Sequence, residues 1–555
     1  MAKKTKRFLF LVLALVQCFL CACAAQQPDA APSPAPTAAA EPDAAQQWLS
    51  RPLNVIDDKY RTYYEVFVYS FYDSNADGIG DLNGVTEKLD YIQELGFNGI
   101  WLMPIMPSPT YHKYDATDYM DIDPEYGTLE DFRSLLTACH QRGIRLIIDL
   151  AMNHSSSQHP WFLEACDYLR TLPEGGEPDP QVCPYAEYYH FTKSPGSGYS
   201  RVSGTDWYYE CRFWDGMPDL NLESPAVRQE FEAIARFWLD MGVDGFRLDA
   251  VKEFVSGSVD ANAEILTWFN GYVKSLNPDA YLVCECWTDK TTYAQYYASG
   301  VDSMFDFEFA DSSGVIANVL TGSRDAASYG KLMADNEALY ASYSDTHINA
   351  PFYTNHDLGR TAGYYPGGDG EAKTKMGNAM NLLMTGNVFV YYGEELGMKG
   401  SGSDENKRAP MYWSQAPDAE GVCDGPPAMG SFPMKFGSLA EQAEDPTSIY
   451  HYVRQAILLR NQNPEIARGA VTFREEYSND SVCVITKSYA GRELLLIFNP
   501  TGESVRISLE GLAVQNQPVS ELSVLGQLLT GEEPVSIDGN QIGMPAFSIL
   551  VMGVE

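Results

Sequence analysis

Three acidic side chains stand where this chain could carry out acid–base and nucleophilic chemistry: Asp249, Glu285 and Asp357. Each closes a short apolar run, in Gly245-Phe-Arg247-Leu-Asp249, Leu282-Val-Cys-Glu285 and Phe352-Tyr-Thr-Asn355-His356-Asp357. A fourth run ends Asp149-Leu-Ala-Met-Asn153-His154. A lone Asp at the end of a run means little, and Asp149 by itself reads as a structural hydrogen-bonding residue. Four such runs gather carboxylates, two histidines and an arginine. Burying like charges together costs several kcal/mol unless a ligand or a proton compensates.

The pairing of an ionised carboxylate with a protonated carboxyl about 5–5.5 Å away suits glycoside hydrolysis with retention. Arg247 lies two residues before Asp249, on the same face of a strand. Its guanidinium can therefore hold Asp249 ionised and oriented as the nucleophile. Glu285 sits among Val283, Cys284, Cys286 and Trp287. Desolvation there raises its pKa, as a general acid requires. Asp357, beside His356, can bind sugar hydroxyls and favour a distorted ring.

Residues of this kind need rigid elements to aim them. From residue 63 to 463, short β-rich runs alternate with longer amphipathic stretches. The runs cover 63–71, 99–104, 144–152, 245–250, 281–287, 304–309, 347–355 and 388–392; helices are expected over 128–142, 226–241, 261–276 and 449–461. Eight strands alternating with helices predict a (β/α)8 barrel, whose C-terminal strand ends carry the active site. A doubly wound open sheet is the alternative, but no Gly-rich phosphate loop follows the first strand. The expected organisation is a barrel over 51–153 and 224–466, with an inserted domain over 154–223 after the third strand. An antiparallel β-sandwich domain is expected over 467–555, where short runs alternate with Gly, Asn and Pro.

The 555 residues, 45% hydrophobic and 12% aromatic, can bury a large core. The formal charge of −37 disfavours nucleic acid and anionic lipid as partners. Residues 1–23 read as a lipoprotein signal: Lys3, Lys4, Lys6 and Arg7, then an apolar run too short to span a bilayer. Leu20-Cys-Ala-Cys23 resembles the bacterial lipobox, which makes Cys23 the lipidated first residue of an exported, membrane-anchored protein. Cleavage would leave 34 basic against 75 acidic residues, a charge of about −41. Residues 24–50, rich in Ala and Pro, are expected to tether it. Beyond Cys23 eight cysteines remain. Cys166 and Cys183 lie in one loop-rich insert and could be bridged, with buried free thiols as the equal alternative.

Five segments together resemble the signature regions of glycoside hydrolase family 13, the α-amylase family. They are Asp149–His154, Gly245–Glu253, Glu285–Trp287, Phe352–Asp357 and Met217-Pro-Asp-Leu-Asn221. They occur in the family's order and with its three-domain layout. The resemblance implies Asp249 as nucleophile, Glu285 as acid/base and Asp357 as transition-state stabiliser. It implies Arg247, His154 and His356 as ligands of the sugar at the cleavage point, and Lys252 as a contact beyond it. It also implies Tyr114, followed by Asp115, as the ring stacked on that sugar. An aromatic face against a pyranose is sound physics.

Met217 resembles a group intermediate between oligo-1,6-glucosidases and neopullulanases. At Tyr111, exo-acting α-glucosidases carry an acid that closes the pocket; its absence argues for an open cleft and endo cleavage of α-1,4-glucans, with starch or maltooligosaccharide as substrate. Glu253 replaces a histidine that supplies a backbone calcium contact in many α-amylases, which puts that calcium site, with Asn153, in doubt. A better cation candidate is the loop Asp73-Ser-Asn75-Ala-Asp77-Gly-Ile79-Gly-Asp81. It opens like an EF-hand, but position twelve is Gly84. The family places a Ca2+ or Mg2+ there, on these side chains and the carbonyl of Ile79, and structural Ca2+ is expected.

A monomer is expected. The alternatives are an α-glucosidase, an oligo-1,6-glucosidase or a glucanotransferase on the same scaffold. From other classes come a non-catalytic glycan-binding lipoprotein, which should have lost nucleophile or acid, and a transporter's solute-binding protein, which should have two open lobes.

Overall fold

The computed structural model describes residues 44–554. The signal, Cys23 and most of the expected tether lie outside the described residues.

Eight parallel strands form the barrel expected from the alternation. They are β1 (Thr62–Val66), β2 (Gly99–Leu102), β3 (Arg145–Leu150), β7 (Gly245–Leu248), β8 (Tyr281–Cys284), β9 (Ser303–Asp306), β10 (Ala350–Pro351) and β11 (Val388–Tyr391). The hydrogen-bonded order runs β10-β9-β8-β7-β3-β2-β1-β11. A single parallel bridge between Phe352 and Phe389 joins the two ends, so the sheet closes rather than staying open. The intervening β4 (Phe191–Thr192), β5 (Tyr199–Arg201) and β6 (Tyr208–Glu210) form a small antiparallel sheet in the insert. The observed strands are shorter than the sequence runs, because the C-terminal ends of those runs leave the sheet to line the mouth.

Strand alternation sets what the barrel contains. Inward positions two apart stack in layers. The lower layers are apolar: Tyr63, Trp101, Ile147, Val283, Phe305 and Phe389 form one buried cluster. The Tyr63 ring is stacked between Tyr281, at 5.4 Å, and Phe389, at 4.7 Å. Two residues further along the same strands come Glu65 above Tyr63, Asp149 above Ile147 and Glu285 above Val283. A polar ring thus rests on a dry aromatic floor.

The helices match the expected amphipathic stretches: Leu129–Gln141, Pro225–Met241, Val259–Leu276 and Ile449–Gln462. Leu129–Gln141 starts in a full capping box, Thr128 with Asp131. In the insert, the helix Pro160–Thr171 packs near the short turn Pro184–Glu187. Cys166 and Cys183 are not bridged; all eight described cysteines are free and buried. Cys166 lies on the buried face of its helix, while the Cys183 thiol turns to the Glu164 carbonyl at 4.0 Å.

The C-terminal region is two antiparallel sheets. Ala470–Phe473, Cys483–Tyr489, Arg492–Asn499, Ser548–Gly553 and Ser523–Leu529 form one; Val505–Ser508, Gln541–Met544 and Ser536–Asp538 the other. The five-stranded sheet is apolar on both faces. Val484, Leu495, Ile497 and Leu550 face Ile507 and Ile542 in a private core, and Cys483, Ile485, Leu496 and Val551 join the main core of the molecule. This explains its unbroken hydrophobic runs.

One expected boundary shifts. The last part of the tether, Ala44–Ser50, is a short 3-10 helix on the folded body. Trp48 is 5% exposed, and Gln462 Nε2 donates to its carbonyl at 3.0 Å. A large ring amid alanines is what docks that turn.

Candidate active site

The mouth of the barrel is organised around Arg247 on β7. The residue is fully buried, and its Nη1 donates to Asp149 Oδ1 and Oδ2 at 3.0 and 3.1 Å. The same nitrogen bonds Asp249 Oδ1. Register puts Asp149 opposite Arg247 on the neighbouring strand, while Asp249 is its i+2 neighbour. One guanidinium therefore fixes both acids, as the i, i+2 spacing predicted for Asp249.

Directly after Asp249 the chain makes a sharp turn. Ala250 has φ 52°, in the left-handed region that costs a residue with a Cβ roughly 1–2 kcal/mol. The turn aims the Ala250 N–H at Glu285 Oε2, at 2.9 Å. Val251 N–H then bonds the Glu285 carbonyl at 2.9 Å. The backbone just after Asp249 thus positions the Glu285 carboxyl. Burial raises the Glu285 carboxyl to about 7, against the pull of Arg247 and with help from Asp249 and Asp357. It is then protonated in mildly acidic solution, the state a general acid needs. Burial pushes Asp149 up as well, while the Arg247 guanidinium on its oxygens pulls it back down.

Asp357 has the opposite setting. Burial would raise it, but His356 and Arg408 outweigh that and hold it far below the usual carboxylate range. Asp357 Oδ1 accepts from Arg408 Nη2 at 2.9 Å, and its Oδ2 lies 3.1 Å from His356 Nε2. Of these two acids, Asp357 is therefore held ionised and Glu285 protonated in mildly acidic solution.

Tyr114 closes the base. Its hydroxyl donates to Asp149 Oδ2 at 2.9 Å and meets His356 Nε2 at 2.7 Å, and its ring stacks on the His356 ring at 5.5 Å. The cavity above, about 230 Å³, is lined by Tyr114, His154, Asp249, Asp357, Arg408 and Met217, with Phe213 and Trp214 at its rim. His154 Nε2 is buried and has no partner in the protein. An unmatched buried nitrogen costs about 1–3 kcal/mol, which a sugar hydroxyl in the cavity would relieve.

With this geometry in place, comparison with known proteins is decisive. The α-amylase catalytic domain matches residues 65–469. The chain belongs to the α-amylase family. Its fold is that of a family glycoside hydrolase. Alpha-amylase 3 of Dictyoglomus thermophilum is 37% identical over 420 residues, 74% of this chain and 79% of that protein. The oligo-1,6-glucosidase of Parageobacillus thermoglucosidasius is 29% identical over 533 residues, 80% of this chain and 90% of that one. Among solved structures, Eubacterium rectale Amy13B superposes with a TM-score of 0.89 at 50% identity, covering 92% of this chain and 98% of that one.

In this α-amylase-family enzyme the remaining expected site residues lie at varied distances from the cavity. Lys252 does not line the cavity, and its Nζ donates to the Trp287 carbonyl at 3.1 Å. Asp115 is buried, and its Oδ1 accepts from Ser108 Oγ at 2.8 Å and from the Thr110 hydroxyl. It shapes the loop carrying Tyr114 and does not line the cavity.

The 73–81 loop lies apart, bridged at Asp73 to Gly421. Its acids bind the loop's own amides: Asp73 Oδ2 accepts from Gly78 N–H at 2.7 Å, Asp77 Oδ1 from Ile79 N–H at 2.9 Å, and Asp81 Oδ1 from Gly84 N–H at 2.7 Å. Asn75 Oδ1 likewise takes the Asp77 N–H at 3.0 Å. The donors are hard oxygens of the kind calcium takes. Among the described residues, no three His, Cys, Asp or Glu side chains are gathered to hold a metal ion. At the insert, Asn153 Nδ2 donates to Asp219 Oδ1 at 3.1 Å, so its amide nitrogen, not its oxygen, faces that acid.

Several contributors escaped the sequence reading, among them Glu65, Arg408, Phe213, Trp214, His112 and Asp404. Glu65 left a signal, as the lone acid in the buried strand Thr62–Val66. Arg408 left none, since it comes from a loop far along the chain. Trp214 depends on Gly216: a Cβ there would fall 2.1 Å from the indole.

Proposed function

We propose that this enzyme is a retaining hydrolase that cuts α-1,4-linked glucans, such as starch and maltodextrin, within the chain. The observation that carries this reading is the placement of exposed aromatic faces on separate elements around the carboxylates. Phe213 and Trp214, 52% and 46% exposed, rim the cavity from the insert. Trp287, 48% exposed, stacks on Phe307 at 5.4 Å just past Glu285. Rings that accept pyranose faces at more than one point suit several consecutive sugars. Tyr111 stands where an acid would seal an exo pocket, and its hydroxyl accepts from Arg408 at 3.3 Å.

The deciding experiment is a product profile on starch, pullulan, isomaltose and maltotriose. Mixed short maltooligosaccharides early in the reaction are expected. Glucose alone, or longer products built from maltotriose, would favour the second reading, a glucosidase or glucanotransferase. That reading draws on relatives named oligo-1,6-glucosidase and trehalose synthase/amylase.

The proposal extends to location and metal. The lipobox-like Leu20–Cys23 supports export and lipid anchoring through Cys23; Cys23→Ser should release the protein from membranes, and unchanged fractionation would refute it. The oxygen donors Asp73, Asn75, Asp77 and Asp81, with the Ile79 carbonyl, support a structural Ca2+ in the first loop. The protein is proposed to work as a monomer.

A further inference from the structure

Glu65 points up from β1 into the mouth and meets the ring of His356. Its Oε1 lies 2.6 Å from His356 Nδ1 and 3.4 Å from the backbone N–H of the same residue. Both side chains are 1% exposed. The imidazole is held on its faces as well, against the Tyr114 ring at 5.5 Å and edge-on to Trp101 at 5.7 Å. It has little freedom to flip.

The partners of the two ring nitrogens then fix their protons. Nδ1 faces Glu65 Oε1, a carboxylate oxygen that accepts. Nε2 faces Asp357 Oδ2 at 3.1 Å, also an acceptor, and the Tyr114 oxygen at 2.7 Å. The single Tyr114 proton already goes to Asp149 Oδ2. Tyr114 therefore accepts from Nε2, and no partner on either side supplies a proton to the ring. A neutral imidazole has one N–H and would leave a lone pair against a carboxylate on one side. Only the imidazolium satisfies both sides.

We propose that Glu65 is the positioning residue that keeps His356 a doubly protonated imidazolium, so that the ring donates at once to Glu65 and toward Asp357 and Tyr114 throughout turnover. Glu65 touches no substrate. It acts through His356 on Asp357, the acid that faces the sugar, and through Tyr114 and Asp149 on the Arg247 clamp of Asp249. Asp149 and Asp357 share the field and favour the cation. The balance agrees with the hydrogen-bond logic: burial alone would lower His356, yet Asp357 and Glu65 lift it to about 9.

The kinetic consequence rests on the hydrolase reading above; the state of the ring does not. The test is therefore a titration of the His356 ring by nitrogen-15 NMR in the whole protein without substrate, assigned with His356→Asn. In the wild type the ring should stay doubly protonated well above pH 7. A His356 that loses its proton at or below the ordinary value of 6.5 overturns the proposal without any variant. In Glu65→Gln, which keeps volume and an acceptor oxygen, the ring pKa should fall by about one unit or more, and Glu65→Asp should restore part of the shift. No shift in Glu65→Gln, with the fold intact by circular dichroism, also overturns it. On a maltooligosaccharide, Glu65→Gln should lower kcat about tenfold with KM little changed. The fall in kcat should be smallest at low pH, where His356 is protonated regardless.

Discussion

Arg408, from a loop beyond the last barrel strand, bonds Asp357 Oδ1 through Nη2 at 2.9 Å and the Tyr111 hydroxyl through Nη1 at 3.3 Å. Its Nε also reaches the His356 carbonyl at 3.3 Å. One side chain ties the stabilising acid to the wall of the cleft. Replacing it by Gln removes the charge and shortens the side chain. A hydrogen bond to a charged group is worth about 1.5–3 kcal/mol. Arg408→Gln should therefore cut kcat/KM on maltooligosaccharides by about 10- to 100-fold. A change below threefold would mean that His356 alone fixes Asp357.

As the proposed acid and nucleophile, Glu285 and Asp249 should fail separately. Glu285→Gln removes the proton donor, and kcat should drop by about 100- to 10,000-fold. The loss should be smaller with an activated aryl glycoside, whose leaving group needs no proton. Asp249→Asn should abolish turnover on both substrates. Equal losses for Glu285→Gln on both kinds of substrate would remove Glu285 from the acid role.

The Glu285 carboxyl, raised to about 7, sets the alkaline limit of activity. kcat/KM for the free enzyme should fall as pH rises through about 7, because the acid loses its proton. A profile flat to pH 9 would contradict the assignment.

The same shift carries a stability signature. A carboxyl whose folded pKa lies above its unfolded value of 4.5 favours folding at low pH, and the advantage is lost as pH rises through about 7. Gln cannot ionise. Glu285→Gln should therefore gain stability relative to the wild type between about pH 4.5 and 7, by no more than about 3 kcal/mol. Melting curves at pH 4 and pH 8 check the sign.

Trp48 belongs to the folded body, so truncation should respect it. Trp48→Ala should cost about 3 kcal/mol, in the range for emptying a large aromatic site. The urea midpoint should fall without loss of activity per folded molecule. An unchanged midpoint would return residues 44–50 to the tether.

The proposed calcium in the 73–81 loop is open to the same kind of measurement. Chelation should lower the melting temperature of the wild type and leave Asp73→Ala unaffected. Equal response in both would place any bound cation elsewhere.

By itself the sequence determined the barrel and its order of strands and helices. These are legible because alternation of period two and amphipathic stretches of period 3.6 are local properties. The tie between Arg247 and Asp249 was legible for the same reason, being an i, i+2 relation on one strand. The tertiary structure decided what depends on closure. Phe352 meets Phe389 only when the sheet joins its ends, and only then does Glu65 on β1 come beneath His356 after β10. Arg408 finds Asp357 across 51 residues of chain. The free state of Cys166 and Cys183 was decided there too, by where a helix and a turn direct their side chains. Spacing along a chain fixes which neighbours share a face; charge pairing across a barrel mouth depends on distances that only the closed ring sets.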